Sequence, residues 1–121
     1  MKNWGQVRPV VVEVLKQQRF TNSGNHYGKP CFLSTYQIAV LVDNRDSTLK
    51  GNLPIGGEGE GIVSNNQSFA QQIAWHISDD INNKNADDIE MRFFSKAGLD
   101  AFTFRGKEPS ANEFTMFCIK E

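Results

Sequence analysis

The chain has 121 residues, a net charge of −1, a hydrophobic fraction of 39% and a charged fraction of 22%. That is the size of a single domain with one core, and neither fraction points to disorder. So even a balance excludes a global basic field of the kind that holds a polyanion.

Along the chain the charge is less even. Residues 1–61 carry seven Lys/Arg and five Asp/Glu, whereas residues 62–121 carry six and nine. The late acids gather at Asp79, Asp80, Asp87, Asp88 and Glu90. This favours a protein partner with a basic surface over nucleic acid. Cys31 and Cys118 are far apart, each in an apolar stretch, and read as buried reduced thiols. The first residues lack the apolar run of a signal peptide, and no stretch approaches the roughly 18 apolar residues of a membrane span. A cytosolic location without membrane contact is the expectation.

The first predicted element is an amphipathic helix over residues 7–19. Val7, Val10, Val11, Val14 and Leu15 recur at helical spacing on one stripe. Pro9 has no N–H and suits only a first turn, so the helix starts near Val7 or Arg8, or kinks there. Trp4, ahead of the stripe, closes the edge of the core. Residues 20–30 are rich in Gly, Asn and Ser and read as a loop.

A second helix is signalled by Ser34 and Gln37, a capping box in which each side chain satisfies the other residue's backbone N–H. Leu33 and Ile38 form its hydrophobic staple, and it ends near Asp43-Asn44. Residues 45–66 hold the run Gly56-Gly57-Glu58-Gly59-Glu60-Gly61, and a strand from residues 45–63 could join a sheet edge. So long a connection is unusual in a small domain and often functional. A third helix spans 68–83, with a capping box at Ser68 and Gln71 and the stripe Phe69, Ile73, Ile77 and Ile81.

Beyond it the period changes to two. Ile89, Met91 and Phe93 alternate with charged residues, Phe102 and Phe104 alternate with Thr103 and Arg105, and Phe114, Met116 and Cys118 alternate along the last strand. This predicts a three-stranded antiparallel meander. The last strand is apolar on both faces and reads as central or doubly covered. The expected fold is α+β, with three N-terminal helices packed on one face of a C-terminal three-stranded antiparallel sheet.

Chemical motifs are sparse. The glycine run lacks the Gly-Lys-Ser/Thr of a phosphate loop, and Glu58 and Glu60 would repel a phosphate. It reads as a surface loop or an acidic docking loop. His26 and His76 could act as acid and base in a metal-independent RNase, although His76 beside Trp75 and Ile77 fits a packed helix position. No metal-ligand spacing or nucleophile elbow occurs, and no cofactor is expected. A winged-helix DNA regulator would use Arg8, Lys16, Arg19 and Lys29 on phosphates. Against it, the second and third helices lie too far apart in sequence for a helix-turn-helix, and the third is acidic.

By elimination, the expectation is a non-enzymatic cytosolic protein-binding domain. Its sharpest form is an immunity or antitoxin-type protein that neutralises a basic partner such as a nuclease toxin. The contact residues expected are Glu58, Glu60, Asp79, Asp80, Asp87, Asp88 and Glu90, with Phe94 and Tyr27 as apolar anchors.

Overall fold

The computed structural model describes residues 1–56, 68–104 and 112–121. Its helices are α1 (Trp4–Gln17), α2 (Thr35–Arg45) and α3 (Phe69–Asn83), and its strands are β1 (Leu33–Ser34), β2 (Ile89–Ser95) and β3 (Glu113–Ile119). The strands form one antiparallel sheet in the order β1-β3-β2. The fold class is therefore α+β with a three-stranded antiparallel sheet. The chain order is α-β-α-α-β-β, not three helices followed by three strands.

The third strand comes from an unexpected place. Leu33 pairs with Phe117 and Ser34 with Met116, so this short segment supplies the third strand, while β2 pairs directly with β3 where a meander would have set Phe102–Arg105 between them. Residues 101–104 belong to no named strand, and Arg105 lies outside the described residues. Phe102 and Phe104 pack as rings instead. No strand forms in residues 46–56, and residues 57–63 lie outside the described residues.

Helix α1 begins earlier than the valine stripe implied. The Asn3 side chain accepts from Gln6 N–H at 3.0 Å, so the cap sits before Trp4. Pro9 then lies inside the helix and gives no N–H to the Gly5 carbonyl one turn back. Both serine capping boxes form, at Ser34 with Gln37 and at Ser68 with Gln71. Pro54 and Ile55 add their carbonyls to the N-terminus of α3, accepting from Phe69 and Ala70 N–H. These are donors that a helix start leaves without intrahelical partners.

One core joins the helices to the sheet. Val7, Val11, Val14 and Leu15 of α1 meet Ile38 and Val42 of α2 and Phe69, Ile73 and Ile77 of α3. The sheet contributes Leu33, Ile89, Phe117 and Ile119, with Met91 packed against them. The register sets these five residues on one face, since side chains alternate along a strand. The opposite face carries Phe94 and Phe114, whose ring centroids lie 5.1 Å apart. Phe102, Phe104 and Tyr36 complete this second aromatic layer. Central β3 is covered on both faces, which explains its continuous apolar run.

Candidate interaction surface

Helix α3 and strand β2 run antiparallel through a short turn, and Ser78 Oγ touches Met91 Sδ at 3.5 Å between them. Trp75 is one turn before Ser78, about 4.5 Å along the axis. Phe93 is two residues after Met91, about 6.6 Å along the strand. Both therefore lie on the same side of the Ser78–Met91 contact. They are also the barest large aromatics on these elements, 63% and 74% exposed. Scattered exposed apolar residues are ordinary; here two large aromatics stand bare on adjoining elements, toward the same end of that contact.

Strand β2 is also an edge strand. At the ends of its ladder with β3, Lys120 N–H donates to the Asp88 carbonyl and Lys96 N–H to the Asn112 carbonyl. With the register, this makes Glu90, Arg92 and Phe94 the residues hydrogen-bonded to β3. The backbone groups of Ile89, Met91, Phe93 and Ser95 point the other way. Among the described residues no strand pairs with them, and Arg92 Nη1 donates to the outward Met91 carbonyl at 2.8 Å.

The acidic residues are less free than their spacing suggested. Asp80 is buried, accepting from Trp4 Nε1 at 2.7 Å and from Arg8 Nε at 2.9 Å. Burial pushes its pKa up, but the Trp4 and Arg8 hydrogen bonds and the charges of Arg8 and Lys84 outweigh it and hold the carboxyl below the usual range. Asp88 takes two hydrogen bonds from Arg8, which lower its pKa against the opposing effect of burial. Asp79 accepts from Asn83 and pairs with Lys84. Glu90 pairs with Arg92 at 2.5 Å on the face of β2 turned away from the helices. Asp87 is exposed on the turn. Five carboxylates thus face three cations and lie on more than one side of the domain.

The other candidate residues are dispersed. Phe94 is half-buried in the second aromatic layer, and Phe93 is the exposed member of the pair. Tyr27 is exposed on the loop that Arg19 ties to Glu121, at the end of the sheet where β2 begins. About 20 Å of strand separates that end from Phe94, so the two do not form one anchor. Glu58 and Glu60 lie outside the described residues.

His26 packs edge-on to Phe20, just past the C-terminus of α1, and His76 stacks on Trp4 at its N-terminus, centroids 4.9 Å apart. The length of α1, about 20 Å, lies between the two anchors, so no acid–base pair is assembled. Of the phosphate contacts imagined for DNA, Arg8 is engaged with two aspartates and Arg19 with Glu121. Among the described residues no cluster of three potential metal ligands occurs, and no helix is long and apolar enough to cross a membrane.

An apolar cleft of about 390 Å³ opens beside Tyr36, Val40 and Leu41. Gly56 and Phe104 on its rim each adjoin a segment outside the described residues. No protein-family model, curated protein or solved structure matches the chain.

Proposed function

We propose that this chain is a cytosolic protein-binding domain that docks through the side formed by α3 and β2. The observation that carries the reading is the exposure of Trp75 and Phe93 on either side of one seam. Large aromatics supply most of the energy of protein interfaces because each removes a wide apolar area from water. The polar groups nearby serve orientation and rate.

The sharper form is an immunity or antitoxin-type role against a basic partner. It draws on the surplus of carboxylates around the turn between α3 and β2. Asp79 and Asp87 are the acids there that do not bind Arg8, and they are the ones to steer a cationic surface by long-range attraction. Such steering changes association rate more than affinity, so the aromatic pair remains the anchor.

The test is affinity capture from extract of the native cell, with the wild-type chain and the Trp75→Ser/Phe93→Ser double variant as parallel baits. The expected result is a protein, a further copy of this chain included, retained by the first and lost from the second. Identical retained sets would overturn the reading. For a basic partner, Asp79→Lys with Asp87→Lys slows association, and an unchanged on-rate removes the electrostatic part.

A further inference from the structure

We infer that the outer edge of β2, with which no described strand pairs, pairs with β2 of a second copy of this chain, antiparallel about a two-fold axis at Met91. The inference rests on the reading of α3 and β2 as a docking side and names the occupant of that side. Its basis is the sequence Ile89-Glu90-Met91-Arg92-Phe93 placed on an edge strand whose outward backbone groups belong to Ile89, Met91 and Phe93.

An edge with regular outward N–H and C=O groups is a template for another strand. When two identical edges meet antiparallel about Met91, Met91 opposes itself and Ile89 opposes Phe93 of the second copy. All three residues have outward backbone groups, so these pairs form about six hydrogen bonds once Arg92 Nη1 leaves the Met91 carbonyl and the turn before β2 uncovers Ile89, which is 3% exposed in the single chain. On the helix side the opposed side chains are apolar throughout. On the other side Glu90 opposes Arg92 of the second copy, and Arg92 opposes its Glu90. Opposite charges directly across a ladder stabilise it, whereas like charges weaken it.

That charge pattern sets the register. Moving the two-fold axis one residue to Glu90 would set Glu90 against itself, and moving it to Arg92 would set two guanidinium groups face to face. The in-chain Glu90–Arg92 pair already places both charges on the surface that would meet, with Arg92 65% exposed. The contact is isologous, each copy giving and receiving the same groups, so it closes at a dimer and does not propagate. Because α3 covers the helix side of β2, joining the edges sets the two α3 helices side by side with Trp75 at their seam.

Sedimentation equilibrium on the full chain over a wide concentration range tests the proposal. The wild type is expected at twice the monomer mass. Phe93→Pro removes an outward N–H and no bond to β3, so it should yield a folded monomer with an unchanged circular dichroism spectrum. Glu90→Arg alone and Arg92→Glu alone each create like-charge pairs and should weaken the dimer on the order of tenfold. Mixing those two variants restores opposite charges across the ladder and should give a heterodimer. A wild type that stays monomeric overturns the inference, as does a dimer that survives Phe93→Pro and ignores both charge reversals. If the chain is monomeric yet Trp75→Ser/Phe93→Ser releases a different captured protein, the second copy is the wrong occupant and the docking side stands. If that double variant also releases nothing, both fail.

Discussion

Arg8 grips Asp88 with both terminal nitrogens, Nη1 to Oδ2 at 2.8 Å and Nη2 to Oδ1 at 2.7 Å. Its Nε reaches Asp80 at the same time, so one guanidinium ties α1 to the end of α3 and to the residue before β2. In Arg8→Ala the buried Asp80 keeps only Trp4 and the more distant Lys84 at 3.6 Å. The expected loss is about 2–3 kcal/mol, below that of a fully enclosed pair because the Arg8 side chain is partly exposed. Arg8→Lys recovers only part of it, since an ammonium cannot match three acceptors with a planar fork. Urea denaturation of the three proteins measures both effects.

The same network predicts an acid limb. Asp80 and Asp88 have folded pKa values below the ordinary 3.8. Their contribution is therefore complete above that ordinary value, where both forms of the chain are ionised. It is lost as the pH falls below 3.8 through the depressed folded values, because the unfolded chain takes up protons first. Near neutral pH these groups give no slope. Arg8→Ala removes the charge that opposes burial of Asp80, so its acid unfolding midpoint should lie at higher pH than that of the wild type. Thermal melts at stepped pH would show the difference.

Gly56 has φ +99°, and a Cβ there would stand 2.5 Å from Ser68 Oγ, the hydroxyl that caps α3. Gly56→Ala combines backbone strain with a collision and should cost about 2–3 kcal/mol. Adding Ser68→Gly removes the obstructing side chain while keeping a tolerated cap, and should return about 1 kcal/mol of that. A double-mutant cycle in urea separates the two terms.

Both cysteines are free thiols, and they differ in access. Cys118 is buried, and burial, followed by the nearby negative charge of Glu90, pushes its thiol pKa up. Iodoacetamide on the native protein should label Cys31 first and leave Cys118 until the chain unfolds. Peptide mapping after a short exposure would decide it; early label on Cys118 would contradict the packing of β3.

Much of this was legible in the sequence, for local reasons. A capping box is a contact between residues three apart, so Ser34 with Gln37 and Ser68 with Gln71 announce their helices without help. The stripes of α1 and α3 are equally local. What could not be read depends on distance along the chain. Leu33 and Ser34 carry no strand signal of their own and become a strand only because Phe117 and Met116 arrive beside them. The start of α1 carries a local signal in Asn3, a good capping residue, but Pro9 is the stronger first-turn signal and lies about one and a half turns further in. For the surface, the acids were visible as a count while their partner Arg8 was 72 residues away from Asp80. Consecutive phenylalanines on a strand must face opposite ways, yet which of Phe93 and Phe94 meets water was decided by the aromatic layer beneath Phe94.

The middle strand of the sheet is also the last of the three along the chain. Neither β1 nor β2 pairs with the other, so the sheet has no ladder at all until Glu113–Ile119 docks between them. Until that step β2 has two open edges instead of one, and Ile89 lacks the strand it finally packs beside. The contacts that close the sheet through β1 span some eighty residues of sequence, so its formation is a late, long-range event in folding. A chain cut after Ser95 should therefore form no sheet on dilution from urea and should aggregate through the open edges of β2.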